Sequence, residues 1–228
     1  MSTFALVHGA WHGGWSWDRL IPVLEARGHH ALAVDLPSED ASAGCAAYAH
    51  VVVEALRGVD ENVVVVGHSL GGLTIPLIAA ARPVQRLIFL CAILPQPGRS
   101  FAAQSAEDAG ALSPDLGAAQ LVHPDGSTSW PEQAAIDRFY HDCAPDDARW
   151  AASRLRSQSW KCVDEITPLA AWPAVPSTVI LCTEDRVVMT DWSRRSARER
   201  LGVEAIELPG GHSPFLARPA ELAAVLAA

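Results

Sequence analysis

A serine flanked by glycines is the part of this sequence best suited to chemistry. The pentapeptide Gly67-His68-Ser69-Leu70-Gly71 directly follows the four valines at 63–66 and precedes Gly72. This order predicts a strand, a sharp turn and a helix, with the serine hydroxyl exposed at the carboxyl end of the strand and glycines where side chains would collide. Backbone N–H groups at the start of the helix would favour an anion there. The pentapeptide therefore predicts that Ser69 is a nucleophile.

A serine nucleophile needs a base that accepts its proton, and His212 is the best placed histidine. It lies in Pro209-Gly210-Gly211-His212-Ser213-Pro214, just after the last predicted strand, and every other histidine comes well before it. When a nucleophilic serine follows a strand in this way, the acid and then the histidine come later in the chain. The chain order predicts His212 as the general base.

The acid that orients this base is expected at the end of a strand between Ser69 and His212. Asp185, in the segment Leu181-Cys182-Thr183-Glu184-Asp185-Arg186, meets that requirement. Glu184 and Asp191 are the competing carboxylates. The loop after the preceding strand, residues 92–95, contains no carboxylate, so the other location at which such an acid can occur is empty. We predict that Asp185 is the acid.

The loop after the first predicted strand, His8-Gly9-Ala10-Trp11, is placed to help bind an oxyanion. We expect the backbone N–H groups of Ala10 and Leu70 to point at the carbonyl oxygen of a substrate, and His8 to stabilise the loop. The pair His8 and His12 has a spacing that could bind a metal, but no nearby carboxylate or cysteine completes a ligand set. The sequence therefore predicts no metal site.

Short apolar segments alternate with helical patterns, which predicts an α/β fold with a mainly parallel sheet of about six strands and helices on both faces. The predicted strands are 4–7, 31–34, 63–66, 87–91, 178–182 and 203–208. The predicted helices are 16–27, 46–57, 70–82, 192–201 and 220–226. The chain is expected to form a single domain over residues 1–228, with a core of 1–94 and 169–228.

Between about residues 95 and 168 the alternation stops, and prolines, acidic residues and aromatic residues become frequent. An insertion of this length is uncommon in a compact domain unless it covers a site, so we predict a helical cap, or lid, over Ser69. The alternative is a helical addition packed beside the sheet. Five aromatic residues are candidates for an apolar substrate pocket: Trp11, Trp130, Phe139, Tyr140 and Trp160.

Composition excludes several partners. The formal net charge is −9 and basic residues are not densely clustered, which argues against nucleic acid. The N-terminus lacks the pattern of a signal peptide, and no apolar segment approaches the ~18 residues of a membrane span. We therefore expect a cytoplasmic protein that does not insert into a membrane and that acts on a small molecule. A homodimer is compatible with the sequence.

These segments resemble the α/β-hydrolase superfamily, and more closely its group of plant methylesterases and hydroxynitrile lyases with their small bacterial esterase relatives. The most specific similarity lies at residues 4–17, with further matches at 67–72 and 183–185, whereas the cap matches poorly. The resemblance extends over nearly the whole chain. It implies a six-stranded parallel sheet, a helical cap, a triad of Ser69, His212 and Asp185, and no cofactor.

The residues at two positions favour the esterase reaction of this group over the lyase reaction. The lyases carry a lysine after the catalytic histidine and a threonine in the first oxyanion loop, whereas this chain has Ser213 and Ala10 there. We therefore expect hydrolysis of a small carboxylic ester through an acyl-enzyme rather than cleavage of a cyanohydrin. Lyase chemistry, cleavage of a C–C bond and a small-molecule receptor or carrier that retains the triad stay open as alternatives, because a fold and a triad alone do not choose the bond broken.

Overall fold

A six-stranded parallel sheet forms the centre of the protein in the part of the chain that the computed structural model describes, residues 1–59 and 62–228. The strands, in chain order, are β1 (Thr3–Val7), β2 (His30–Ala33), β3 (Val63–His68), β4 (Arg86–Leu90), β5 (Leu121–Val122), β6 (Thr128–Ser129), β7 (Ser177–Cys182) and β8 (Ile206–Leu208). The main sheet has the order β2-β1-β3-β4-β7-β8, and β5 and β6 form a separate antiparallel hairpin.

The central strand β3 carries the Ser69 segment to the edge of the sheet. All six of its residues are buried, as expected for a strand covered by helices on both faces. It pairs in parallel with β1, where Val7 is opposite Gly67, and with β4, where Leu90 is opposite His68. The loops that follow β1, β3 and β4 therefore all emerge at the same edge of the sheet.

Helices cover both faces of the sheet. They are α1 (Ile21–Ala26), α2 (Cys45–Ala55), α3 (Ile75–Ala81), α4 (Phe101–Glu107), α5 (Glu132–Phe139), α6 (Pro145–Ala152), α7 (Lys161–Asp164), α8 (Thr190–Ser196), α9 (Pro214–Ala217) and α10 (Pro219–Leu226). Two 3-10 helices lie at Gly14–Trp17 and Ser69–Leu73, and a π-helical turn at Ala197–Leu201 continues α8. Within the described residues, a helix both long and apolar enough to cross a membrane is absent.

Two predicted helices are interrupted near prolines. The predicted helix 16–27 is a 3-10 helix followed by α1, and the predicted helix 70–82 is a 3-10 helix followed by α3. Pro22 and Pro76 lie in the first turns of α1 and α3. Proline lacks the backbone N–H that a helix interior requires, and the first turn is the part of a helix that tolerates it.

The last strand is shorter than predicted. The prediction of 203–208 was too long, because β8 contains only Ile206–Leu208. Gly202 adopts a left-handed backbone conformation with φ of 66°, and the N–H of Val203 donates to the carbonyl of Ala197. Gly202 therefore caps the C-terminal end of the preceding helix, and the strand begins later in the chain than predicted.

The cap segment contains α4 to α7 together with the β5–β6 hairpin. The hairpin was not predicted, since each of its strands has only two residues. The predicted fold class, an α/β fold with six parallel strands, flanking helices and a helical insertion, is confirmed.

Candidate active site

Ser69 lies in a strained backbone conformation directly after β3. Its φ is +52°, which is unfavourable for a residue other than glycine, and the 3-10 helix begins at this residue. The neighbouring glycines lie where a side chain would collide with the backbone. A Cβ on Gly67 would lie 2.9 Å from the carbonyl oxygen of Gly71, and a Cβ on Gly71 would lie 2.8 Å from that of His8. The turn thus presents Ser69 at the edge of the sheet, as the sequence predicts.

His212 and Asp185 form a buried hydrogen-bonded pair. The Nδ1 atom of His212 lies 2.8 Å from Asp185 Oδ2 and 3.0 Å from Oδ1, and the side chains are 1% and 2% exposed. The carboxylate is itself oriented, because Oδ1 accepts backbone N–H bonds from Val187 at 2.7 Å and Val188 at 3.2 Å. Asp185 thereby holds the imidazole with Nδ1–H toward the acid and Nε2 free to accept a proton.

The two competing carboxylates lie elsewhere. Glu184 is exposed, and its backbone bonds to Gly210 and to His141. Asp191 is at the surface, where its carboxylate pairs with Arg194 at 2.8 Å. Of the three candidates for the acid, the structure brings only Asp185 to the ring of His212.

His68 joins the Ser69 turn to the loop that carries His212. Its Nε2 donates a hydrogen bond of 2.9 Å to the backbone carbonyl of His212, and the two rings lie 4.6 Å apart. Burial holds the pKa of His68 well below its usual range, so the ring is neutral. Within residues 1–59 and 62–228, Ser69 Oγ has no hydrogen bond to His212. Bonds of this kind tighten when substrate binds.

The loop after β1, residues 8–12, which the sequence predicts to bind an oxyanion, is oriented by His8. The ring donates from Nδ1 to the carbonyl of Gly9 at 2.8 Å, and its Nε2 accepts the backbone N–H of Leu36 at 3.0 Å. Burial lowers the pKa of His8 to about 4, so the neutral ring both donates and accepts. The carbonyl of Gly9 and the N–H of Ala10 belong to one peptide group and point in opposite directions. Anchoring the carbonyl therefore aims the N–H of Ala10.

His12 anchors the next peptide of the loop. Its Nδ1 donates to the carbonyl of Ala10 at 2.7 Å, and burial lowers the pKa of His12 to about 3. The N–H of that same peptide, on Trp11, donates to Gln158 Oε1 at 3.3 Å. Trp11 adopts a φ of +63° as the chain turns. Both peptide groups beside Ala10 are therefore immobilised by buried side chains, and Gln158 is a contributor that no sequence motif indicates.

Ser69, Ala10 and Leu70 face one cavity of about 300 Å³. Leu70 is the second residue of the 3-10 helix, where a backbone N–H has no acceptor within the helix. The cavity wall is mostly apolar and comes from both core and cap. The remaining lining residues are Trp11, Ile93, Phe101, Leu112, Ser113, Leu116, Gly117, Gln120, Trp160, Val163 and Val187. The site therefore combines a serine, two candidate oxyanion donors and an apolar space.

The five aromatic pocket candidates separate into two groups. Trp11 and Trp160 lie on the cavity wall, with ring centroids 5.3 Å apart. Trp130, Phe139 and Tyr140 are not among its lining residues; they are buried behind Trp11, whose ring is 5.5 Å from Trp130 and 5.7 Å from Phe139. The structure thus brings two of these five residues to the cavity and packs three in the core.

One cluster near the site has the residue types of a metal centre. Ligand atoms of Cys91, Asp185 and His212 lie within 4.8 Å of one another. The contact with Cys182, together with burial, holds the pKa of the Cys91 thiol well above its usual range, whereas metals bind the thiolate. The Nδ1 atom of His212 is already bonded to Asp185. The donor chemistry of this cluster suits proton transfer better than metal binding.

Comparison with known proteins identifies the family of this chain. A family model described as the alpha/beta hydrolase family matches residues 4–225. Salicylic acid-binding protein 2 of Nicotiana tabacum is 31% identical, over 98% of this chain and 95% of the relative. Methylesterase 2 of Arabidopsis thaliana is 26% identical, over 95% of this chain and 91% of the relative. The resemblance to the plant methylesterase group is confirmed.

A solved structure agrees at the level of the fold. The pyrethroid hydrolase of Sphingobium faniae JZ-2 superposes with a TM-score of 0.85 and 24% sequence identity, over 99% of this chain and 96% of the other. The fold of this chain is thus shared with an experimentally determined protein.

Proposed function

Because the chain belongs to the alpha/beta hydrolase family, we propose that it is a serine hydrolase that cleaves a small carboxylic ester. One observation carries the proposal: Ser69, Ala10 and Leu70 line the same cavity. A nucleophile and two residues able to supply backbone N–H donors at one cavity are what acyl transfer requires. The buried pair of His212 and Asp185 supports the same conclusion, since a serine hydroxyl needs a nearby base.

The first half of the reaction forms an acyl-enzyme. His212 Nε2 takes the proton from Ser69 Oγ as the oxygen attacks the ester carbonyl carbon. The carbonyl oxygen becomes an anion that accepts the N–H groups of Ala10 and Leu70. When the intermediate collapses, the bond to the alcohol oxygen breaks, and the alcohol leaves with the proton from His212. The acyl group is then esterified to Ser69.

The second half releases the acid. His212 removes a proton from a water molecule, whose oxygen attacks the acyl carbon, and the same N–H groups accept the second oxyanion. Collapse of this intermediate returns the proton from His212 to Ser69 Oγ and liberates the carboxylic acid. Asp185 stabilises the imidazolium that forms in each half and keeps its Nδ1–H directed at the carboxylate.

The cavity supports a small substrate with an apolar acyl or alcohol group. A volume of about 300 Å³ lies at the lower end of the range for small-molecule sites. Phe101, Leu112 and Val163 of the cap contribute to the wall of the cavity that Ser69 also lines. We propose that the cap segment, residues 95–168, acts as a lid that excludes water from the bound ester.

An ester rather than a cyanohydrin is favoured by the residue after His212. Ser213 is fully buried and uncharged, so it offers no cation to stabilise cyanide as it leaves. The names of the plant relatives, methylesterase among them, also support an ester. A receptor or carrier function, suggested by the name of the salicylic acid-binding relative, would need a tightly bound ligand and slow turnover.

The decisive experiment compares wild type and Ser69→Ala with p-nitrophenyl acetate and butyrate, together with labelling by a fluorophosphonate and mass spectrometry. We expect wild type to turn over both esters and to be labelled at Ser69, and Ser69→Ala to do neither. Ser196→Ala is the matched control, because Ser196 is also buried but lies on α8 and does not line the cavity.

The other outcomes contradict parts of the proposal. Equal esterase activity in Ser69→Ala would exclude this serine as nucleophile. Labelling without turnover of any ester would favour a receptor, and efficient cleavage of mandelonitrile without esterase activity would favour a lyase.

A further inference from the structure

We propose that three consecutive cap residues, Tyr140-His141-Asp142, form a positioning element that holds the three loops of the active site in register. The tripeptide lies between α5 and α6. The loops are the oxyanion loop (residues 8–12), the acid loop (residues 183–188) and the histidine loop (residues 209–213). Each side chain of the tripeptide bonds to a different loop. The proposal rests on the proposed hydrolase function, since it assigns these loops their catalytic roles.

Tyr140 contacts the oxyanion loop through His12. The Tyr140 hydroxyl lies 2.9 Å from His12 Nε2, and His12 Nδ1 donates to the carbonyl of Ala10. Because that carbonyl only accepts, Nδ1 of the neutral ring carries the hydrogen, and Nε2 must accept the hydrogen of the Tyr140 hydroxyl. A continuous chain of hydrogen bonds therefore runs from the cap to the peptide that begins at Ala10.

His141 contacts the acid loop. Its Nε2 donates to the backbone carbonyl of Glu184 at 3.1 Å. Glu184 immediately precedes Asp185, so this bond restrains the backbone from which the proposed catalytic carboxylate projects. The acid loop is also tied to the histidine loop, because the N–H of Glu184 donates to the carbonyl of Gly210 at 2.9 Å.

Asp142 contacts the histidine loop. Its Oδ2 accepts the backbone N–H of Gly211 at 2.8 Å, and it also pairs with Arg218 at 3.1 Å. Gly211 immediately precedes His212, and the Asp142 side chain is only 13% exposed, so water competes weakly for these bonds. A charge-assisted bond of this kind is stronger than one between neutral groups.

The two glycines before His212 allow the cap to approach this closely. A Cβ on Gly210, whose φ is +100°, would lie 2.5 Å from Asp142 Oδ2. A Cβ on Gly211 would lie 2.6 Å from His141 Nε2 and 2.7 Å from Asp142 Oδ1. These side-chain ends cannot move aside without breaking bonds to the acid and histidine loops. The absence of a Cβ at both glycines therefore permits the contacts that the tripeptide makes with these loops.

The side chains of His141 and Asp142 bond to the backbone of the residues that precede Asp185 and His212. The side chain of Tyr140 reaches the carbonyl of Ala10 through His12. A positioning role follows from this placement, since none of the three cap side chains lines the cavity. A displacement of about 1 Å in a catalytic group can reduce the rate about 100-fold, which is sufficient for such contacts to matter. We therefore expect the tripeptide to affect kcat rather than the affinity for substrate.

The test uses Tyr140→Phe and Asp142→Asn, which keep size and packing while removing or weakening one contact each. We expect kcat for p-nitrophenyl butyrate to fall about 10- to 100-fold in each, with KM within about 2-fold of wild type. Asp147→Asn is the matched control, because Asp147 is also a cap aspartate paired with an arginine, Arg19, but within the described residues its side chain bonds to none of the three loops. It should leave kcat within about 2-fold of wild type.

Two results would overturn the proposal: an unchanged kcat in both tripeptide variants, or an equal fall in Asp147→Asn. Asp142→Glu retains a carboxylate and should recover part of the kcat lost in Asp142→Asn. A variant with only a lower midpoint of thermal unfolding and wild-type kinetics at 25 °C would also count against a positioning role.

A second readout separates this proposal from the proposed function. We expect the proton on His212 Nδ1, which is bonded to Asp185, to give a low-field resonance in a proton NMR spectrum. We expect this resonance to shift or broaden in Asp142→Asn and to persist in Asp147→Asn, whether or not the protein hydrolyses esters. An inactive wild type with these spectra would contradict the proposed function alone, and an unchanged resonance in Asp142→Asn would contradict the positioning role.

Discussion

The residue before the proposed nucleophile bonds to the backbone of the proposed base: His68 Nε2 donates to the carbonyl of His212 at 2.9 Å. This bond connects the turn after β3 with the loop after β8, which are far apart in the chain. His68 is buried against Trp17 and Phe215, with Phe215 at a ring separation of 4.9 Å. The second residue of the Gly-His-Ser-Leu-Gly pentapeptide thus has a structural role of its own.

Replacing His68 tests this connection. In His68→Leu the buried carbonyl of His212 loses its donor, which we expect to lower the free energy of unfolding by about 1–3 kcal/mol and kcat by at least about 10-fold. His68→Gln retains an N–H donor and should lose less of both. Urea unfolding and p-nitrophenyl butyrate kinetics measure the two effects. Wild-type kcat in His68→Leu would show that the bond does not position His212.

Gly9→Ala should disturb the nucleophile directly. A Cβ at this position would lie 2.7 Å from Ser69 Cβ, closer than side chains can approach. We expect kcat to fall at least about 10-fold, because either Ser69 or the oxyanion loop must move. Gly14→Ala is the control, since its Cβ would have its nearest neighbour at an ordinary 3.4 Å. Similar kinetics in both variants would contradict the assigned proximity of Gly9 and Ser69.

Filling the cavity should change the selectivity for the length of the acyl chain of the ester. Gly117 lines the cavity, and a Cβ at this position would have no neighbour within 4 Å, so Gly117→Val adds two methyl groups at the cavity wall without a clash. We expect kcat/KM for p-nitrophenyl hexanoate to fall about 10-fold more than that for the acetate, a difference of about 1.4 kcal/mol. Ala118→Val, at an exposed neighbour, should leave the ratio unchanged. Equal falls for both esters would place the acyl chain elsewhere.

Stability should fall in mild acid because of the buried histidines. Burial lowers the pKa of His8 from 6.5 to about 4, so between these values the unfolded chain binds more protons than the folded one. The contribution of neutral, buried His8 to the free energy of unfolding is complete above pH 6.5 and is lost as the pH falls toward 4. For His8 this amounts to roughly 2 kcal/mol between pH 7 and pH 5.

His8→Gln removes the titrating group and keeps a donor and an acceptor. The free energy of unfolding of this variant, measured in urea at pH 7 and pH 5, should decrease less than that of wild type. His12, whose pKa is lowered to about 3, is present in both proteins and does not affect the comparison. An identical decrease in the two proteins would mean that His8 is protonated in the folded state at pH 5.

Much of the fold could be predicted because the apolar patterns that indicate its strands lie within short segments of the sequence. The four valines of β3 and the apolar segments of β1, β4 and β7 each indicate a buried strand without reference to other parts of the chain. The helix bounds were less accurate where Pro22 and Pro76 follow a short 3-10 helix. The β5–β6 hairpin escaped prediction, because four paired residues carry no measurable alternation.

The amino-acid sequence by itself determined the candidate nucleophile, base and oxyanion loop, since a strand–turn–helix motif and a fixed chain order are properties of short segments. The sequence also favoured Asp185 over Glu184 and Asp191, but only the tertiary structure brings a carboxylate to the His212 ring, and it is that of Asp185. The tertiary structure also separated the aromatic residues that line the cavity from those that pack behind it.

The contacts of Tyr140-His141-Asp142 with three distant loops have no signature in the sequence. Each is a hydrogen bond between groups that are 43 to 128 residues apart in the chain, and its formation depends on how the cap packs on the sheet. Local residue patterns specify which elements form, whereas the packing of those elements specifies which of their polar groups meet.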